Sequence, residues 1–205
     1  MVVFATLIIM IIGIDEVGRG CWAGPLVAAA VAFEDSDAIY IKGLNDSKLL
    51  NANTRQQLVK LIQKTTRHIG IGWVWPEQIN KVGLTESVRL AMNRAYEQIS
   101  LTNVAVIIDG NYNFLRHVSK SQAIVKADGI VPQVSAASII AKVTRDNYMS
   151  QLAKKYSEYG FERHVGYGTP QHIAALKEYG IISDIHRLNY KPIKKYLVEY
   201  ETQNN

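Results

Sequence analysis

The chain has 205 residues, 48% of them hydrophobic, which is enough to bury a sizeable core, and nothing in its composition suggests disorder. Its single cysteine, Cys21, excludes an internal disulfide and gives no sign of an oxidising compartment, so a cytoplasmic setting is expected. The net charge of +5 equals the excess between Lys142 and Tyr196, where ten Lys or Arg face five Asp or Glu, a pattern that fits either a phosphate-binding footprint or a salt-bridged helical surface.

The opening run MVVFATLIIMIIGI is almost wholly apolar. It lacks a basic leader, is shorter than the roughly 18 residues of a spanning helix, and is followed by no small-residue cleavage site. Its β-branched content predicts a buried strand running into Asp15, with Met10 as an alternative start and no membrane association. LVAAAVAF (Leu26 to Phe33) predicts a second strand, and AIYIKG after the polar EDSD turn a third, the three forming a meander.

A helix is predicted from Thr54 to Arg67, with Leu58, Leu61 and Ile62 at helical spacing, and HIGIGWVW then alternates as a strand. Thr85 opens a helix with Val88, Ala91, Met92, Ala95, Tyr96 and Ile99 on one stripe. NVAVIIDG reads as a strand ending at Asp109, and SQAIVKADG as another ending near Asp128. The longest helix is expected from Ser135 to Tyr156, another from Thr169-Pro170 to Gly180, and a last over residues 191 to 198.

No repeat, linker or low-complexity stretch divides the chain. The expectation is one α/β domain over residues 1–205: a mixed sheet flanked by helices, with a helical C-terminal region from about residue 170 as a small extension. In such sheets ligands collect where strands end.

Four acids stand at those ends: Asp15 and Glu16 after the first strand, Asp109 after VII, and Asp128 after IVKA. Taken singly, each is better explained as a strand-end turn residue or a helix cap. Together they are costly, because charges at a core edge need a partner or a metal and no Lys or Arg interrupts those strands. Four hard oxygen donors without Cys or His at ligand spacing favour Mg²⁺ or Mn²⁺ over zinc and suit phosphoryl chemistry, in which two ions serve the attacking water and the leaving oxygen.

The string GIDEVGRG (Gly13 to Gly20) closely resembles the first signature of the ribonuclease HII family. NDSKLL (Asn45 to Leu50), IIDG (Ile107 to Gly110), KADG (Lys126 to Gly129), SAASIIAKVTRD (Ser135 to Asp146), GYGT (Gly166 to Thr169) and His186-Arg187 extend the match along nearly the whole chain. The resemblance implies a ribonuclease H-like fold and places the family's four metal-binding, catalytic acids on Asp15, Glu16, Asp109 and Asp128. Gly18, Arg19 and Gly20 become the substrate-sensing loop, whose glycines let backbone approach a ribose 2′-hydroxyl. Tyr167 becomes the residue that senses the junction between ribonucleotide and deoxyribonucleotide. Lys48, Lys142 and Arg145 lie within matched motifs as phosphate contacts, with the alternative that Arg145 and Asp146 are the polar face of a long helix. One departure is Val165, where many relatives carry a lysine.

The activity implied is a two-metal endoribonuclease, using Mn²⁺ or Mg²⁺, that cuts 5′ of ribonucleotides in RNA/DNA hybrids and in duplex DNA. Such an enzyme serves ribonucleotide excision repair and primer removal. A monomer is expected, with a replication clamp as a candidate partner.

Overall fold

The computed structural model describes residues 10–41, 43–44, 50–66 and 68–204. Five strands form one sheet in the order β3-β2-β1-β4-β5. The first three are β1 (Met10–Val17), β2 (Leu26–Glu34) and β3 (His68–Val74), and they form an antiparallel meander. Beside β1, β4 (Ala105–Asp109) and then β5 (Ser121–Ile124) add in parallel. The mixed α/β sheet is thus the expected one. The part of the apolar run before Met10 lies outside the described residues.

The expected third strand AIYIKG is corrected. Asp35–Tyr40 forms a 3-10 helix, with Asp35 and Asp37 in its first turn, where acids favour a helix start. The free edge of β2 is taken instead by β3, reached over helix α1 (Ala52–Thr65), which buries Leu58 and Ile62 but leaves Leu61 39% exposed.

Two helices unite behind β3. The short α2 (Pro76–Val82) has Pro76 at its start and Gly83 beyond its end, a helix absent from the sequence reading although both punctuation marks are there. α3 (Leu84–Tyr96) lays Val88, Ala91, Met92 and Ala95 on the sheet face made by Ile12, Ile14, Ala28, Ala30 and Ile108. Contact is close because β3 offers glycines: a Cβ on Gly70 or Gly72 would lie 2.0 Å from the Ala95 carbonyl oxygen or 1.9 Å from that of Ala91.

The opposite face carries α4 (Pro132–Lys155), with Ala136, Ala137, Ile140 and Val143 against Ala29, Val31 and Phe33. Here β1 contributes Gly13, whose missing side chain would sit 2.2 Å from the backbone of Gln133 and Val134. That approach brings the start of α4 onto β1 just before Asp15.

β5 is shorter than expected, and Asp128 follows it on a 3-10 turn (Ala127–Gly129) entered through a left-handed Lys126. Among the described residues after α4 are a 3-10 turn (Ser157–Tyr159), α5 (Phe161–His164), α6 (Pro170–Tyr179) and α7 (Lys191–Asn204). α6 has the predicted Thr169 cap and Gly180 stop, while α7 runs past the expected residue 198. Phe161, Ala175 and Ile185 of this region pack with Met149 and Leu152 of α4 and with Ala23. No helix of the described residues is long and apolar enough to cross a membrane.

Candidate functional site

β1 and β4 run side by side, with Ile14 opposite Ile108, so Asp15 and Asp109 stand one position further on at the same sheet edge. Asp15 and Glu16 lie within β1 and not after it, and strand alternation sends them to opposite faces. Asp15 turns toward α4, where the Ser138 side chain hydrogen-bonds it, and also accepts the Glu16 N–H at 2.7 Å. Glu16 faces a cleft of about 220 Å³ lined by Arg19, Thr85, Asp109, Tyr112 and Phe114. Its Oε1 accepts from the Arg19 guanidinium at 3.1 Å.

The electrostatics follow from this crowding. Burial, reinforced by Glu16 and Asp109, holds the Asp15 carboxyl well above the usual carboxylate range. Burial also raises Glu16; Arg19 opposes the shift and Asp109 adds to it. Asp128 is 3% exposed. Its N–H points at Asp109 Oδ1 at 3.5 Å and its carbonyl accepts from the Ser135 hydroxyl, which ties the 3-10 turn to the same edge.

Among the described residues, no three His, Cys, Asp or Glu side chains form a ready-made metal cage. Yet Asp15, Glu16 and Asp109 are near enough for their charges to interact. An all-oxygen, mutually repelling set fits a hard divalent ion, which would relieve the burden on Asp15.

The loop from Gly18 to Pro25 is held from beneath by two buried guanidiniums. Arg145 donates to the carbonyls of Pro25 (2.8 Å), Val165 (2.8 Å) and Ala23 (3.1 Å). Arg187 donates to the carbonyls of Gly24 (3.0 and 3.1 Å) and Arg19 (3.1 Å) and to the Tyr190 hydroxyl (2.9 Å). Five carbonyls are thereby turned inward. Gly18 has φ +93°, and a Cβ there would come within 2.5 Å of Arg145 Nε, so a glycine is needed on both counts.

A second loop, Val165 to Thr169, docks on the first. Gly166 O accepts from the N–H groups of Trp22 (2.8 Å) and Ala23 (3.2 Å). The Tyr167 ring lies over Gly20, 3.6 Å from where a Cβ would be, and the residue is 43% exposed. Arg19, Gly20 and Tyr167 therefore form one exposed surface beside the acids, with Gly18 buried beneath it against Arg145.

The remaining sequence candidates do not join it. Lys48 lies outside the described residues. Lys142 pairs with Asp146 at 2.8 Å in a polar groove with Arg55, Gln56, Arg163 and Val165. Arg145, expected as a phosphate contact or on a polar helix face, has no exposed surface, so the structure corrects that placement: its three bonds make it a staple between loops. Sequence reasoning passed over Arg187, Ser138, Tyr112 and the buried histidines 164, 172 and 186, although His186-Arg187 had been visible as a matched pair.

The sequence profile of the family described as Ribonuclease HII matches residues 12–193. The chain is 47% identical over 187 residues to the Ribonuclease HII of Geobacillus sp. (strain WCH70), covering 91% of this chain and 66% of that protein. It is 40% identical over 183 residues to the Ribonuclease HII of Shewanella piezotolerans, covering 89% of each. Among solved structures, the ribonuclease H2 of Pyrococcus horikoshii superposes with a TM-score of 0.82 at 26% identity, covering 94% of this chain and 99% of that one. The RNase HII of Archaeoglobus fulgidus, solved in complex with PCNA, gives 0.75 at 30% identity, covering 89% and 96%. From the profile, the relatives and the shared ribonuclease H-like fold, this chain belongs to the ribonuclease HII family.

Proposed function

We propose that this protein is a ribonuclease H that hydrolyses the phosphodiester 5′ of a ribonucleotide, in RNA/DNA hybrids and at single ribonucleotides within duplex DNA, leaving a 3′-hydroxyl and a 5′-phosphate. The observation that carries the reading is the surface on which Tyr167 covers Gly20 while Asp15, Glu16 and Asp109 gather at the adjoining sheet edge.

Asp15, Glu16, Asp109 and Asp128 are the residues that would hold two Mg²⁺ or Mn²⁺ ions. When bound, such a pair activates a water and stabilises the leaving 3′-oxygen. The chain's own part is to orient the substrate. With the loop carbonyls drawn inward by Arg145 and Arg187, the N–H groups of Gly18 to Gly20 are left for a 2′-hydroxyl. Tyr167 offers a ring to a sugar and a hydroxyl to the same 2′-oxygen. Arg19, 3.1 Å from Glu16 and more than half exposed, is placed to reach a phosphate beside the acids. Lys142, and Lys48 of the matched NDSKLL segment, supply sequence-independent phosphate attraction.

The proposed cellular roles are removal of misincorporated ribonucleotides and of RNA primers, in the cytoplasm and as a monomer. The PCNA complex of the Archaeoglobus relative supports a replication clamp as partner. Asp15→Asn and Asp109→Asn test the assignment: each is expected to abolish metal-dependent cutting while keeping the folded circular-dichroism spectrum. Wild-type cutting by either variant would overturn it.

A further inference from the structure

Three buried histidines stand behind Tyr167, and their hydrogen bonds fix their protons. His186 Nδ1 accepts the Ile182 N–H at 3.0 Å. The Ile182 carbonyl, 3.1 Å from the same nitrogen, already accepts the N–H groups of Ile185 (3.0 Å) and His186 (2.9 Å). Nδ1 is therefore bare and His186 carries its proton on Nε2. That Nε2–H meets His172 Nε2 at 3.1 Å, which must accept, so the His172 proton is on Nδ1 and is donated to the Tyr167 carbonyl at 2.9 Å. The opposite set of tautomers would place two N–H groups against each other at Ile182 and a lone pair against the Tyr167 carbonyl.

His164 completes the clamp. Its Nδ1 accepts the Gly166 N–H at 3.2 Å, its Nε2–H donates to the Tyr159 carbonyl at 2.7 Å, and its own carbonyl accepts the Tyr167 N–H at 2.9 Å. The ring stacks on His172 with centroids 4.6 Å apart and an interplanar angle of 13°. Burial keeps His172 and His186 neutral, pulled down to about 4 and about 3. All three are less than 9% exposed.

The relay starts beside the residue that holds the other half of the substrate surface. Arg187, next to His186, grips the carbonyls of Arg19 and Gly24, and an isolated bridge pairs Ala23 with His186. We propose that His186, His172 and His164 are positioning residues: the His186-Arg187 pair acts as a common reference that sets Tyr167, through the His172 Nδ1–H, at a fixed distance from Gly20, and so governs selectivity for the ribonucleotide junction. The proposal rests on the reading that Tyr167 meets the substrate.

The first test uses the wild-type protein. A long-range ¹H–¹⁵N spectrum of the imidazoles at neutral pH is expected to show His172 as the Nδ1–H tautomer and His164 and His186 as Nε2–H. Any other tautomer at His172, or a charged ring, overturns the relay. The second compares kcat and KM on a single-ribonucleotide duplex and on a long RNA/DNA hybrid. His172→Phe, which fills the space without the donor, is expected to lower kcat on the single-ribonucleotide duplex about tenfold relative to the hybrid, with KM little changed. His172→Asn, which keeps a donor near Nδ1, is expected to restore most of it. Equal losses on both substrates, or no rescue by Asn, would reduce the histidines to packing and overturn the proposal. The Tyr167 reading fails separately: if Tyr167→Phe leaves the substrate ratio unchanged while His172→Phe shifts it, the loop is positioned by the relay but the hydroxyl is not the sensor.

Discussion

Arg145→Lys separates a structural guanidinium from a phosphate-binding one. In the structure the side chain has no exposed surface and its three nitrogens reach carbonyls on two loops, Ala23 and Pro25 on one and Val165 on the other. A lysine keeps the charge, but a single ammonium cannot span all three acceptors. Bonds to a charged group are worth ~1.5–3 kcal/mol each, and a stranded buried carbonyl costs ~1–3 kcal/mol. Losing two of the three, with the lysine retaining one, predicts a destabilisation of about 3–6 kcal/mol, twice the worth of one such bond. Urea unfolding reads this as a lower midpoint, and filter binding of a nucleic-acid duplex against salt supplies the contrast. The salt slope of duplex binding by the folded fraction is expected to stay at the wild-type value. An unfolding free energy within about 0.5 kcal/mol of wild type, together with a salt slope smaller by about one phosphate, would refute the reasoning.

Asp15→Asn is expected to stabilise the protein while inactivating it. A carboxyl raised by burial binds its proton more tightly when folded, so the folded state gains stability as pH falls and carries a penalty at higher pH; the amide removes that penalty, and a higher Tm by calorimetry is predicted. His172 and His186 act in the opposite direction: with folded values of about 4 and 3, both take up protons on unfolding below about pH 6.5. Their contribution is full above pH 6.5 and is lost toward pH 4 at about 1.4 kcal/mol per unit for each ring, so wild type should lose more stability on acidification than His172→Phe in urea titrations at each pH. Val165 holds φ 43° and ψ 36°, a left-handed conformation that a β-branched residue adopts under strain, beside Lys142 and Arg163 in the polar groove. Val165→Lys is expected to ease that strain and to steepen the salt slope of duplex binding by about 0.9, the increment of one phosphate contact.

Much of this was legible because it rests on local pattern. The run from Leu26 to Phe33, the strand ending at Asp109 and the Thr169 and Gly180 limits of α6 emerge as their residues dictate. The Asp15-Glu16 pair stood out because charge at the end of an apolar run is costly wherever it falls. What was not legible depends on partners far along the chain. AIYIKG has strand composition, but the edge it would fill is claimed by β3 from beyond α1. Arg145 reads as a polar helix position until the carbonyls of residues 23, 25 and 165 arrive around it. His164, His172 and His186 lie on no common helix, and only the folding of α5, α6 and the 180–187 turn against one another stacks them. The left-handed Val165 also escapes notice, since nothing in its residue type suggests that conformation.

The most direct measurement of the central claim is cleavage of an end-labelled DNA duplex carrying one ribonucleotide, with Mg²⁺, with Mn²⁺ and with chelator, beside an all-DNA duplex and a long RNA/DNA hybrid. The account predicts metal-dependent cutting on the 5′ side of the ribonucleotide, ends bearing 3′-hydroxyl and 5′-phosphate, and an untouched all-DNA control. Cutting of the long hybrid alone, or binding without any cutting, would contradict it.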